Sequence, residues 1–335
     1  MIFPSVGDGV MSFQLSRQNT DLKTGLYRLA GELSSGEVAD RASALGGDTS
    51  RFSGIEHSLR VLETYGQATR ETALTLTSMQ TTLGAFDERR AALSSDLLTV
   101  SESSPSHLVN ELAQQAGGTF QDLVSSMNTR VADRTLFAGA AVDCSALVDS
   151  ETMLSDLVAA VGTSTTISDI VTTVEAWFED PNSGFATSGY VGDSGDPQTR
   201  ILNETASVDL DARADDPAVR DVLKSAALAA LADRLSGLSD SDRGELLFES
   251  GVQLQSAASG VAQLQSRIGF AEQSVERASV ENTAQIAALT IQRNDSVGVD
   301  PFEAATALQS LQIQLETHYA ITARLSRLSL VEYLR

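Results

Sequence analysis

The chain has 335 residues and a single cysteine, Cys144, so no internal disulfide can staple it. Only 6 residues are proline and 5% are aromatic, which leaves long helices unbroken and bulky cores scarce. Basic residues are also few: 23 Lys+Arg stand against 45 Asp+Glu, a formal net charge of −22. A surface that acidic disfavours nucleic acid, whose phosphates need neutralising cations, and disfavours anionic membranes equally. The longest apolar run, Ala226 to Ala232, is far too short to span a bilayer. The first residues, Met1 to Asp8, carry neither a basic stretch nor an apolar one, so no cleavable secretory signal is expected there.

What is present is helical periodicity. Leu22, Leu26, Leu29 and Leu33 have the spacing of a coiled-coil seam, and Ser34-Ser35-Gly36 supplies a stop. Ile55, Leu59, Leu62, Gly66, Thr69, Ala73, Leu76, Gln80 and Leu83 keep heptad register. Phe86, Arg90, Leu93, Leu97 and Val100 continue it after a shift of one residue. Such a helix over 51–100 would be about 75 Å long, which predicts an elongated molecule. Ser104 is the expected N-cap and Pro105 the first residue of a helix whose apolar stripe is Leu112, Ala116, Phe120, Leu123, Met127 and Val131.

Leu254, Ala258, Val261, Ile268, Ala271, Val275 and Ala278 mark a helix over 244–293 that pairs antiparallel with the 51–100 helix. Asp300-Pro301 opens a last helix carrying Leu308, Leu311, Leu315, Leu325 and Leu328. Between these long helices, residues 140–243 hold 19 acidic and 6 basic residues, a net of −13, and have a different texture. Helical patches are expected there at 151–180 and 217–236, with two or three short strands within 189–212. The fold class read from these patterns is mainly α: an antiparallel bundle built from both chain ends with a small α+β middle insert. Its parts are terminal helices at 1–39 and 299–335, a long-helix bundle at 40–139 and 240–298, and an acidic outer insert at 140–239.

Chemistry-bearing motifs are thin. Gly192-Asp193-Ser194-Gly195 copies the nucleophile loop of chymotrypsin-like proteases, but the only histidines are His57, His107 and His318, and Asp196 follows. Asp209, Asp211, Asp215 and Asp216 suggest calcium, yet Arg213 interrupts the order an EF-hand needs. Asn203-Glu-Thr and Asn294-Asp-Ser fit the glycosylation pattern, and Trp177-Phe178 reads as a small core under the insert. No catalytic, cofactor-binding or metal-ligating set is expected. The terminal leucines have more apolar stripe than one two-helix seam uses. Leu22, Leu26, Leu29, Leu33, Leu308, Leu311, Leu315, Leu325, Leu328, Leu330 and Leu334 are therefore the expected assembly interface.

Three motifs carry a resemblance. Arg28-Leu29-Ala-Gly-Glu-Leu33-Ser34-Ser35-Gly36 resembles the signature near the start of bacterial flagellins. Asp300-Pro-Phe-Glu-Ala-Ala-Thr-Ala-Leu308-Gln309, with the closing Leu328-Ser-Leu330-Val-Glu-Tyr333-Leu334, resembles the flagellin C-terminal helix. Arg134-Thr-Leu136-Phe137-Ala138-Gly139 is similar to a turn in the hook-associated, hook–filament junction branch of that superfamily. Glu37 to Asp48 departs from the family's Asp-Asp-Pro turn, so no role is carried over there. The resemblance implies export without a cleaved signal, aided by a chaperone, to the bacterial flagellum. It implies as partners flagellin, a sister junction protein and copies of the chain in a ring, with flagellin itself as the alternative identity. A secreted hydrolase using Ser194 is the distant one.

Overall fold

Long stretches without proline or glycine clusters become long helices, and these dominate the computed structural model, which describes residues 6–46, 49–101, 104–164 and 166–333. In chain order they are α1 (Val6–Ser35), the short α2 (Arg41–Ala44), α3 (Thr49–Leu97) and α4 (Ser106–Met127). The middle segment adds α5 (Ser150–Val161), α6 (Ile167–Glu179) and α7 (Pro217–Arg234); α8 (Asp240–Val297) and α9 (Pro301–Tyr333) complete the chain. Two antiparallel hairpins supply the strands: β1 (Arg130–Val131) with β2 (Arg134–Thr135), and β3 (Gln198–Ile201) with β4 (Ser207–Leu210). The mainly α class with a small stranded insert is the observed one. Among the described residues no helix is long and apolar enough to cross a membrane.

The chain divides into two compact units, residues 1–63 with 283–335, and residues 64–282. In the larger unit α3 and α8 run antiparallel. Arg90 donates to the Leu254 carbonyl at 2.9 Å and Ser94 to the Gly251 carbonyl at 2.8 Å, while Thr77 reaches Glu272 further along. The heptad positions are inside as their register predicts: Thr69, Leu76, Leu83, Phe86, Arg90, Leu93 and Leu97 are buried, facing Leu254, Val261, Ile268, Val275 and Ala278. Gly251 lets the two helices touch, since a Cβ there would lie 3.0 Å from that of Leu97. Arg90 crosses the seam without an orphaned charge because Asp87 accepts from its Nε at 2.6 Å.

The middle segment shares this core. Twelve of the 18 residues of α7 are buried, the densest helix of the chain, and α7 packs on α4, α5 and α6. The run Ala226 to Ala232 is thus a core helix whose small side chains permit close packing. Asp216 caps it by accepting the Ala218 N–H at 2.9 Å, with Pro217 at the first helical position. Trp177, Phe178 and Phe185 stack and edge together as the small aromatic core expected under the insert.

Several expectations are corrected locally. The 151–180 patch is two helices, because Gly162 turns the chain with φ 60°. Pro105, with ψ 141°, takes the N-cap position of α4, and the Ser104 hydroxyl instead accepts from the Ser101 N–H at 2.9 Å. Val131 leaves the α4 stripe for β1: the helix ends at Met127, and Ala132 and Asp133 adopt positive φ to close the hairpin. Asn128 fixes that exit by bonding both the N–H and the carbonyl of Leu147. Asn203 is 7% exposed and holds a turn through the Thr205 and Ala206 N–H groups, so it is no glycan acceptor surface.

Candidate assembly surface

The smaller unit begins with α1 and α9, which pack on each other. On α1 the positions withdrawn from solvent are Leu15, Asn19, Leu22, Gly25 and Leu26, half-buried, then Leu29 and Glu32, buried. On α9 they are Ala304, Ala307, Leu308, Leu311, Leu315, His318 and Leu325. Both sets have 3-4 spacing, and Gly25 sits in ordinary contact range of the Leu311 side chain, so the two stripes meet as one seam. Neither ring nitrogen of His318, 9% exposed, has a hydrogen-bond partner among the described residues.

A polar clasp closes the end of this pair. Gly36, at φ 73°, stops α1 by donating to the Glu32 carbonyl at 2.8 Å. The chain then pairs with the stretch leaving α8: Val38 N–H bonds the Val297 carbonyl and Val299 N–H the Gly36 carbonyl, each at 3.0 Å. Buried Glu32 takes the Arg28 guanidinium and the Ala39 N–H, both at 3.0 Å. Arg293 joins Glu37 and Glu56, the latter at 2.6 Å, and Arg41 binds Glu37 at 2.5 Å. Gly298 is required here because a Cβ would overlap the Asn294 carbonyl. Of these residues Glu37, Val38, Ala39 and Arg41 lie in the segment that departs from the flagellin pattern, and heptad reading had no means to find the clasp.

The expected interface leucines are thereby sorted. Leu22, Leu26, Leu308, Leu311, Leu315 and Leu325 are half-buried and Leu29 is buried, all on the α1–α9 seam. Leu33 is 39% exposed, because the buried Glu32 takes the place next to the clasp. Leu328 and Leu330 lie in α9 without described side chains, and Leu334 lies outside the described residues.

The sequence reading passed over a second set of side chains. Phe13, Tyr27, Phe302, Ile313, Tyr319 and Ile321 point into solvent, with Phe302 at 80% and Tyr27 at 74% exposure. Exposed aromatics are costly in a chain so poor in them, and six large apolar groups on two helices make a surface that gains by being covered. Their signal was present as aromatics outside the leucine register, at Phe13, Tyr27, Phe302 and Tyr319.

The alternative sites are occupied by structural bonds. In the 192–195 loop the Asp193 carboxylate accepts the Gly195 N–H, and the Asp193 carbonyl accepts the Tyr190 hydroxyl, both at 3.0 Å. Arg213 donates to the Gly195 carbonyl at 2.7 Å, and the Asp193 N–H to the Ala138 carbonyl at 2.9 Å. The loop is therefore the packing partner of the 136–139 turn, where Gly139 at φ 65° leaves room that a Cβ would fill. Burial there pushes the Tyr190 hydroxyl pKa far up, with Asp215 adding to the rise. His57 and His318 lie in the other compact unit from Ser194, and exposed His107 opens α4, the helix whose far end precedes the 138–139 turn.

The acidic cluster is likewise engaged. Asp211 and Asp216 both hold Arg267, Asp209 accepts from Thr199, and Asp215 pairs with Arg213. Burial raises the Asp215 pKa despite that arginine. Exposed Cys144 spends its thiol on backbone carbonyls, that of Ala141 at 3.2 Å.

Residues 253–334 match the family model of the bacterial flagellin C-terminal helical region. A comparison with curated proteins finds no match. Among solved structures, one described as a flagellar hook-associated protein from Vibrio parahaemolyticus shares the fold, with a TM-score of 0.53 at 13% identity. The alignment covers 73% of this chain and 95% of that one. The matched region contains most of α8 and all of α9, and the solved structure shows a shared fold.

Proposed function

We propose that this chain is a non-enzymatic adaptor of the bacterial flagellum, joining the hook, through a sister junction protein, to the flagellin filament. The observation that carries the reading is the α1–α9 pair with large apolar side chains left uncovered on its outer faces. A helix pair of that kind is half of a larger packing arrangement, and neighbouring subunits with like helices supply the rest. The flagellin-type region over 253–334 and the fold shared with a hook-associated protein support the same reading. In this reading the terminal helices form the inner, polymerising layer, copies form a short ring, and a chaperone escorts export. The bonds that tie the 192–195 loop to Tyr190 and Arg213 support packing as the role of that loop.

The deciding experiment is deletion of the gene. Cells that keep their hooks but shed unassembled flagellin into the medium are the expected result, and cells with normal filaments would refute it. Flagellin itself is the second reading, favoured by the family match at 253–334. Thousands of copies along each filament would establish it, whereas labelled chain confined to the hook tip excludes it.

A further inference from the structure

In the larger unit a groove of about 390 Å³ opens between residues 68–79 of α3, the β1–β2 hairpin and the start of the β3–β4 hairpin. Leu74, Met79, Val131 and Leu210 make its walls apolar, and Leu74 stays 58% exposed at its rim. Two of its lining side chains are arginines, Arg134 and Arg200. Neither is in an ion pair among the described residues; Arg200 donates only to Gln198. In a chain with nearly twice as many acidic as basic residues, two guanidiniums outside ion pairs beside an apolar groove, against the single lining carboxylate of Glu71, which accepts from Gln67, are out of character. They fit an apolar knob flanked by carboxylates.

The same unit carries one. On α8 Phe248 and Val252 stand one turn apart at 44% and 36% exposure. Glu245 and Glu249 flank them, and neither is in an ion pair among the described residues. We propose that this knob, Glu245-Phe248-Glu249-Val252, docks into the Leu74–Arg134–Arg200 groove of a second copy of the chain. Knob and groove are far apart on one molecule: Gly251 packs against Leu97 at the end of α3, 23 residues beyond Leu74 and about 35 Å along the helix. One copy cannot satisfy itself. Different patches on the two partners make the contact head-to-tail, so it propagates from copy to copy. The inference rests on the assembly reading above and adds to it a contact made away from the terminal helices.

The test is a full-length Cys144→Ser chain carrying Leu74→Cys and Val252→Cys, oxidised on isolated flagella. A ladder of disulfide-linked oligomers is expected. Monomers only, on flagella that retain the chain, would overturn the docking while leaving the flagellar role intact. Chain missing from flagella would refute the flagellar role, and the docking is then decided by the same oxidation of concentrated purified chain, where monomers only overturn it. A second arm removes the charge match. Arg134→Glu with Arg200→Glu lowers cross-linking on the order of 10-fold, and mixing with Glu245→Arg, Glu249→Arg copies restores it. Unchanged cross-linking in the arginine variant, with an unaltered melting temperature, would overturn the electrostatic pairing.

Discussion

Phe302 gives the clearest separation between a residue that holds the fold and one that holds the assembly. It stands on the first turn of α9 at 80% exposure, with its backbone N–H held by Asp300. Phe302→Ser leaves that bond in place and removes almost no intramolecular packing, so folding stability moves by no more than about 0.5 kcal/mol. The assembled state is different. A phenylalanine offers roughly 200 Å² of side-chain surface, of which about 160 Å² is here uncovered. If neighbours cover all of it, about 4 kcal/mol is lost at 25 cal/mol per Å²; half coverage loses about 2 kcal/mol. Those values are roughly 1,000-fold and 30-fold in affinity.

The assay compares flagellum-bound with shed chain by immunoblot, alongside thermal melting of the purified variant. Leu29→Ala is the control. Leu29 is 7% exposed in the α1–α9 seam, so its truncation costs about 2–5 kcal/mol of folding and lowers helix content directly. Phe302→Ser retained on flagella like the parent would refute the claim that the outer faces of α1 and α9 are covered by neighbours. A large loss of melting temperature in Phe302→Ser would refute the assignment of that residue to the outside.

Glu32→Ala removes the acceptor of the Ala39 N–H and of Arg28, costing about 1–3 kcal/mol; hydrogen exchange should quicken in residues 29–40 before anywhere in α7. Gly298→Ala forces a Cβ onto the Asn294 carbonyl and should fray the end of α8, seen as faster exchange at Val299 and Val38. Lys224 is opposed by burial, but Glu179 and Asp221 outweigh it and raise its pKa above the ordinary 10.5. The raised value means its stabilisation is complete below pH 10.5 and disappears as pH rises through the folded value. Lys224→Met should thus lose stability at pH 7, by roughly 0.5–1 kcal/mol, and the gap to the parent should narrow above pH 10.5 in thermal melts. Ser194→Ala should leave flagellar assembly unchanged; a hydrolytic activity lost in that variant would revive the enzyme reading.

The parts of the fold legible in the sequence are those fixed by local period and capping. Positions 55 to 100 carry their register in every third or fourth residue, and Asp216-Pro217 and Asp300-Pro301 announce helix starts by their own chemistry. The illegible parts depend on partners far along the chain. Leu33 continues the leucine spacing, yet Glu32 goes inside because its carboxylate meets a backbone N–H seven residues on. Val131 continues the α4 stripe, but Asn128 is claimed by Leu147 and the helix ends. The leucine stripe located the seam between the terminal helices. It said nothing about their outer faces, because a lone Phe302 or Tyr27 has no period to read.

The uneven burial of the helices bears on how such a protein can be both stable and ready to assemble. α7 buries 12 of its 18 residues, whereas α1, over 30 residues, has only Leu29 and Glu32 buried among its described side chains. A helix pair with that little inside receives little of the burial free energy that offsets chain entropy, so α1 and α9 open at a fraction of the cost of unfolding α7. Binding to neighbours through the exposed aromatics would raise that local stability by mass action, without any change in the core of the larger unit. Hydrogen exchange of the free chain should therefore show α1 and α9 exchanging orders of magnitude faster than α7, and assembled chain should show the difference largely removed. Equal protection in the free chain would mean that the terminal pair needs no neighbour, and the case for assembly through its outer faces would fail.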